Sequence, residues 1–157
     1  MALRQKRERV SFRDRALDLA IGVGNERLRK AIVDADPGEG EWRERVETVV
    51  AGLLEAAADE PELAELCLVH AQGMDTYPGP FDLDLVEALA AVLSAGREGE
   101  AQAATAPPAS VEELAAYGIL GVVSERLRRG EADSLRELGD ELSELATLPF
   151  AGTSSAA

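Results

Sequence analysis

Apolar residues recur along most of this chain at the three- and four-residue spacing of amphipathic α-helices. The cleanest example runs from Glu41 to Ala58, where charged side chains such as Arg43 and Glu47 cover the side opposite the apolar one. The apolar side of this stretch consists of Trp42, Val46, Val49, Val50, Leu53, Leu54 and Ala57. No stretch has the strict alternation of a half-buried β-strand, so the pattern predicts an all-helical protein.

The same spacing predicts five further helices, separated by segments rich in turn-forming residues. These helices run from Phe12 to about Asp34, Pro61 to about Gln72, Phe81 to Ala95, Val111 to Leu127 and Ser134 to Ala146. Breakers lie at 36–40 and 73–80, and a polar, alanine-rich linker is expected at 96–109. The pattern therefore predicts one six-helix, all-α domain at 12–151, with a basic flexible N-terminus at 1–11 and a disordered tail at 152–157.

The helix from Val111 to Leu127 is apolar on two sides, and both sides must be covered. A two-fold axis lets a second copy of the chain cover one of them, so we expect a homodimer in which the last two helices form a four-helix bundle. The alternative is that both sides lie in the core of one chain. Ser110 and Glu113 have the spacing of a capping box that starts this helix. The predicted interface residues are Gly118, Gly121, Val122, Leu135, Leu138, Leu142 and Leu145.

Two glycines, Gly22 and Gly24, lie inside the first predicted helix. Each costs about 1 kcal/mol relative to alanine at a helical position. Their presence indicates either a bend in this helix or a close contact with another one.

Charge is distributed unevenly along the 157 residues, whose formal net charge is −14. The first thirty residues hold nine Lys or Arg and four Asp or Glu, whereas the remaining residues hold seven and twenty-six. Residues 31–157 are acidic enough to repel the phosphate backbone of a nucleic acid, so no direct nucleic-acid contact is expected from them. Only the first fifteen residues are basic enough to attract nucleic acid, and a solvated N-terminus is the simpler interpretation of them.

The single cysteine, Cys67, excludes an internal disulfide and is typical of a reduced compartment, so a cytoplasmic protein is expected. The N-terminal sequence MALRQKRERV has no apolar region of the kind found in a secretory signal. No run approaches the ~20 apolar residues that a membrane span needs, so no membrane partner is expected.

Several segments together carry a resemblance to a known family. They are AYGILGVVSERL at 116–127, the leucine-rich helix that follows after a short turn, LPF at 148–150, EWRERV at 41–46 and EPELA at 60–64. In type and order these segments resemble the effector-binding and dimerisation domain of the tetracycline-repressor-like (TetR) transcriptional regulators. The resemblance covers about residues 12 to 151. It implies a homodimer and a small apolar or amphipathic effector.

The chain departs from this family at its N-terminus. Family members begin with a helix-turn-helix DNA-binding unit that precedes a long connecting helix. Here FRDRAL at 12–17 is similar to the end of that unit, and residues 1–11 are too few for a recognition helix and its support. The resemblance therefore implies no DNA-binding residue in this chain. Either the sequence is a piece of a longer regulator, or it is a natural remnant that kept only the effector domain.

Few residues are candidates for chemistry. Cys67 and His70 have the spacing of a thiolate–imidazole pair or of two metal ligands, but two ligands are too few for a zinc site. A packed cysteine and a hydrogen-bonded histidine are the simpler interpretation. Because the resemblance places their helix at an effector pocket, we predict a pocket lined by Trp42, Cys67, His70, Met74, Phe81 and Tyr117, with core or surface packing as the alternative. No phosphate, nucleophile or metal motif is found, so no cofactor or metal is expected.

Three functions are compatible with these observations. The first is a ligand-sensing and dimerisation domain of a TetR-like regulator, in which effector binding biases the tilt of the connecting helix and so the spacing of attached DNA-binding units. The second is an unrelated helical interaction or scaffold module. The third is a small enzyme that uses Cys67 and His70. The sequence favours the first and predicts that the chain is not an enzyme.

Overall fold

The computed structural model describes residues 12–74, 79–100 and 110–150. These residues form six α-helices and no β-strand, so the predicted all-α class is confirmed. The helices are α1 (Phe12–Ala35), α2 (Trp42–Asp59), α3 (Pro61–Leu68), α4 (Leu83–Glu100), α5 (Val111–Arg128) and α6 (Gly139–Thr147), with 3₁₀ segments at His70–Gly73, Ala132–Leu138 and Leu148–Phe150. None of the helices in the described part of the chain could span a bilayer. The predicted flexible N-terminus and disordered tail lie outside the described residues.

Helix α2 lies at the centre of the fold and packs against α1, α3, α4 and α6. Its predicted apolar face is buried, and the side chains on this face from Val46 to Ala57 are at most 1 % exposed. Leu28 of α1 and Leu89 and Leu93 of α4 join the same core. The hydrophobic spacing of α2 therefore sets its orientation, because burial of apolar surface is the dominant stabilising term in folding.

The turn between α1 and α2 is held by a two-pronged ion pair. Arg45 Nε and Nη2 donate to the two carboxylate oxygens of Asp36, each at 2.9 Å, and the side chains are 17 % and 19 % exposed. Asp36 Oδ1 also accepts a hydrogen bond from the Gly38 N–H at 3.0 Å. Gly38 has a φ of +74°, a left-handed conformation that glycine adopts without strain. The ion pair between Asp36 and Arg45 thus fixes the direction of α2 relative to the end of α1.

Asp36→Asn is expected to lower the free energy of unfolding by about 1–2 kcal/mol at neutral pH, because the amide loses the charge-assisted bonds to Arg45. Those bonds hold the pKa of the Asp36 carboxyl below its usual range. The bonds between Asp36 and Arg45 therefore stabilise the fold above about pH 3.9, the pKa of an aspartate carboxyl in the unfolded chain. This stabilisation is lost as the pH falls through the lower pKa that the carboxyl has in the folded state. In urea unfolding, the difference between wild type and Asp36→Asn should shrink below about pH 4. The exposed change Glu39→Gln in the same turn is the control, and a pH-independent difference would contradict the assignment.

Helix α3 ends at Leu68, one turn earlier than its apolar pattern predicts. The Leu68 carbonyl accepts hydrogen bonds from the side chains of Ser124, at 2.8 Å, and of Gln72. In a continuing α-helix this carbonyl would accept the backbone N–H of residue 72. Ser124 of α5 therefore takes part in ending α3, and the local sequence of α3 does not reveal this contact.

Two other helix boundaries and one predicted cap differ from the structure. The last helix is α-helical only from Gly139, because the preceding seven residues form a 3₁₀ segment. Ser110 makes no side-chain cap hydrogen bond, since its backbone is already helical, so the predicted capping box is wrong. Helix α4 continues to Glu100, which shortens the predicted linker; residues 101–109 lie outside the described part of the chain.

Candidate functional site

The outward face of α5 is apolar over about three turns. Leu114 is 72 % exposed and Val122 is 36 % exposed. Between them, a side-chain carbon added to Gly118 or Gly121 would meet no atom within 4 Å. No charged residue occurs from Leu114 to Ser124. We call Leu114, Gly118, Gly121 and Val122 the α5 stripe.

The opposite side of α5 lies in the core. Its apolar side chains there are at most 3 % exposed: Ala116, Ile119, Leu120, Val123 and Leu127. Among the described residues, one apolar side of α5 is thus covered by the chain's own core, and the other is exposed. This is the arrangement expected if a second copy covers the open side.

Three of the four leucines predicted at the dimer interface lie inside the chain's own core. Leu135, Leu138 and Leu142 are 0 %, 7 % and 3 % exposed, and the prediction is wrong for them. The reason is that the 3₁₀ segment and α6 fold back onto α2 and fill the remainder of its apolar face. Leu145 is 56 % exposed and Leu148 is 61 % exposed, so α6 and the turn after it contribute these two to the surface.

The aromatic side chains predicted to line a pocket are distributed over two separate contacts. Trp42 packs edge-to-face against Phe150, with ring centroids 5.3 Å apart, and its Nε1 donates to the Val92 carbonyl at 3.0 Å. Phe81 lies against Tyr117, with ring centroids 6.2 Å apart. Each ring therefore joins one helix or turn to another.

Cys67 and His70 lie in different environments. Cys67 is 3 % exposed and its Sγ donates to the Ile21 carbonyl at 3.4 Å, whereas His70 is exposed with Nε2 3.5 Å from Glu65 Oε1. Burial, helped by the Asp82 carboxylate, raises the pKa of the Cys67 thiol to about 11, so the thiol is protonated at neutral pH. The two side chains form no thiolate–imidazole pair. Within residues 12–74, 79–100 and 110–150 no three His, Cys, Asp or Glu side chains are grouped to hold a metal ion.

The space between α2, α4 and α5 is filled by side chains. The cavity there measures about 10 Å³, and branched aliphatic residues line it: Val46, Val49, Val50, Leu89, Val92, Leu93 and Ile119. Such a volume accommodates one water at most. Among the described residues, the space between the helices of Trp42 and Tyr117 is therefore too small for an effector, and the predicted pocket stays a prediction. Met74, predicted to line it, is half-buried beyond the 3₁₀ segment that follows α3.

A groove of about 230 Å³ opens between α1 and the junction of α2 with α3, and we call it the α1–α3 groove. Its floor is apolar, built from Gly24 and Leu28 of α1 and from Leu63 and Ala64 of α3. Gly24 permits the close approach of these helices, because a Cβ there would overlap Cys67 Sγ and stand 3.1 Å from Leu63. Helices α1 and α3 therefore meet beneath the groove and close its base.

The rim of the α1–α3 groove is charged. Arg27 of α1 forms an ion pair with Glu60, at the junction of α2 and α3, across the groove mouth. Beside it, Asp59 Oδ1 lies 2.6 Å from Nη2 of Arg136, which extends the ion-pair network toward the 3₁₀ segment before α6. These rim residues were not among the predicted site residues, because their partners are far apart along the chain and no local pattern marks them.

A second groove, of about 310 Å³, lies between α2 and α6. It is polar, with Arg43 beside the carboxylates of Glu47, Asp140 and Glu144. No apolar side chain lines it, so it lacks the surface that gives small-molecule sites most of their affinity. The α1–α3 groove is the better candidate for a ligand.

Comparison with protein-family models, with curated proteins and with solved structures found no match for this chain. The resemblance to TetR-like regulators therefore stays a prediction. The α5 stripe and the α1–α3 groove are the two surfaces on which a function can be argued.

Proposed function

We propose that this chain is the homodimerising, ligand-sensing domain of a TetR-like regulator. The α5 stripe is the observation that carries the proposal. An exposed apolar surface rimmed by charge is typical of a protein–protein interface. Here charges flank the stripe along the helix, with Glu113 one residue before Leu114 and Glu125 three residues after Val122.

An antiparallel pairing of two α5 helices fits the stripe best. With the two-fold axis at Gly118, Leu114 lies opposite the partner's Val122, because both are four residues from the axis. The glycine allows the two backbones to approach closely. The acidic first turn of one α5 then lies toward the basic last turn of the other, which adds electrostatic complementarity.

A stable dimer generally buries about 1,200–2,000 Å² in total, which exceeds what one helical stripe supplies. The exposed side chains of Leu145 and Leu148 provide further apolar surface in the C-terminal region that packs against α5. The proposed interface therefore includes α5 together with the end of α6, in partial agreement with the four-helix arrangement expected from the sequence.

The α1–α3 groove provides a route from ligand to regulation. A ligand between α1 and the α2–α3 junction favours conformations with a particular tilt of α1. Phe12, Leu19 and Val23 of α1 are 88 %, 71 % and 49 % exposed, and their spacing places them on one side of the helix. In this proposal that side contacts a DNA-binding unit in a longer chain, and the tilt of α1 sets the spacing of two such units.

Sedimentation velocity tests the dimer. The wild-type chain at tens of micromolar is expected to be dimeric, and Gly118→Glu monomeric, because two carboxylates would face each other in an apolar interface. Gly22→Glu is the matched control, since Gly22 is also an exposed helical glycine with no atom near its missing side chain. Both variants should keep the wild-type circular dichroism spectrum. A monomeric wild type, or a dimer dissociated by Gly22→Glu and not by Gly118→Glu, would contradict the proposed interface.

A helical interaction or scaffold module is the second candidate function. The filled space between α2, α4 and α5 favours it, because such a module needs no internal ligand cavity. It differs from the regulator in its response to ligands: no small molecule should bind saturably to the α1–α3 groove. A ligand that binds there and shifts the dimerisation equilibrium would exclude this candidate.

A further inference from the structure

We propose that the α1–α3 groove binds a small organic cation with an apolar body, of the size of an arylmethylammonium ion. This inference rests on the proposed function only in treating the groove as the ligand site, and names the chemical class of the ligand. Two features of the groove lead to it: an apolar floor of limited volume, and a rim with more carboxylates than guanidinium groups.

The volume of the groove sets the size of the ligand. Sites for drug-sized molecules measure about 300–1,000 Å³, and an apolar cavity of about 150 Å³ binds benzene. A groove of about 230 Å³ therefore fits one ring with a short substituent. Leu28 and Ala64 are each 3 % exposed, so a ring reaches this part of the floor only after the side chain of Arg27 moves aside.

The rim sets the sign of the ligand's charge. Asp59 and Glu60 line the rim with Arg27, and Arg136 pairs with both Asp59 and Glu55. An anion would therefore meet three carboxylates for two guanidinium groups. The net charge of −14 adds a long-range attraction for cations. A carboxylate has about four lone-pair sites, so both acids retain capacity for ammonium donors alongside their ion pairs with arginine.

The Arg27–Glu60 ion pair across the groove mouth opens at small cost. Its side chains are 56 % and 50 % exposed, and ion pairs so exposed contribute little to stability. Movement of Arg27 toward solvent uncovers the floor and leaves Glu60 to accept the ammonium group. After this movement the Glu60 carboxylate would repel an anionic ligand, so the open groove favours cations.

The full chain is titrated with benzylammonium, benzyl alcohol and benzoate, and binding is followed by amide ¹H–¹⁵N chemical shifts. Benzylammonium is expected to give saturable shifts centred on Gly24, Leu63 and Ala64. Benzyl alcohol should bind about tenfold more weakly, corresponding to about 1.4 kcal/mol for the lost charge. Benzoate should give no saturable shift at the groove.

Glu60→Gln should weaken benzylammonium binding about tenfold, and Arg27→Gln should strengthen it because a competing positive charge is removed. Glu62→Gln is the control: it makes the same change in net charge on an exposed residue of α3 that does not line the groove. The inference would be overturned if Glu60→Gln and Glu62→Gln weakened benzylammonium binding equally, or if benzoate bound as tightly as benzylammonium. It would also be overturned if benzylammonium showed no saturable binding at tens of millimolar.

The sedimentation experiment separates this inference from the proposed function. A dimer that does not bind benzylammonium overturns the ligand class and leaves the dimerising domain in place. A monomer that binds benzylammonium at the groove overturns the dimerising domain and retains the ligand class.

Discussion

Leu135→Ala is expected to lower the free energy of unfolding by about 3–5 kcal/mol, whereas Leu114→Ala should change it by less than about 0.5 kcal/mol. Leu135 is fully buried and Leu114 is 72 % exposed. Truncation of a buried leucine removes apolar contacts and leaves a cavity, while truncation of an exposed leucine does neither. The substitution is the same at both positions, so the difference between the two losses measures the difference in burial.

Both substitutions are measured by urea unfolding in the Gly118→Glu background, because dimerisation would otherwise add a concentration-dependent term to stability. In the wild-type background, Leu114→Ala should raise the dimer dissociation constant, since each protomer loses an interface contact. A loss below about 1 kcal/mol for Leu135→Ala would show that the 3₁₀ segment does not pack over α2 as described. A large loss for Leu114→Ala in the monomeric background would show that α5 is covered by its own chain.

Gly24→Ala and Gly22→Ala are expected to change stability in opposite directions. At Gly22 the added carbon meets no atom within 4 Å, so the variant gains about 0.5–1 kcal/mol from helix propensity. At Gly24 the added carbon overlaps Cys67 Sγ and crowds Leu63, and overpacking of this kind costs about 1–3 kcal/mol. Because both substitutions gain the same propensity term, the difference between the variants measures the α1–α3 contact alone.

Thermal unfolding of the two variants gives this difference, and a double-mutant cycle locates its cause. In a Cys67→Ala background, Gly24→Ala should cost less, because the overlapping sulfur is gone. If Gly24→Ala were as stabilising as Gly22→Ala, α1 and α3 would not approach as closely as the groove requires. The α1–α3 groove would then lack its apolar floor.

The sequence determined the local structure of this protein well. The spacing of apolar residues predicted α2 from Glu41 to Ala58, and the helix runs Trp42–Asp59 with that face buried. It also predicted a helix from Val111 to Leu127 with two apolar sides, and the structure has one side in the core and the other exposed. These features depend on the helical period of 3.6 residues, which is visible in any short window of sequence.

Only the tertiary structure decided which apolar residues are covered and by what. Leu135 and Leu145 share a predicted helix and an apolar character, yet the first is buried against the chain's own core and the second is exposed. Cys67 and His70, three residues apart, face different surroundings because the α-helix between them ends at Leu68. The Arg27–Glu60 pair joins residues thirty-three positions apart. Periodicity fixes where a side chain lies around its own helix; which neighbour it meets depends on how all six helices pack together.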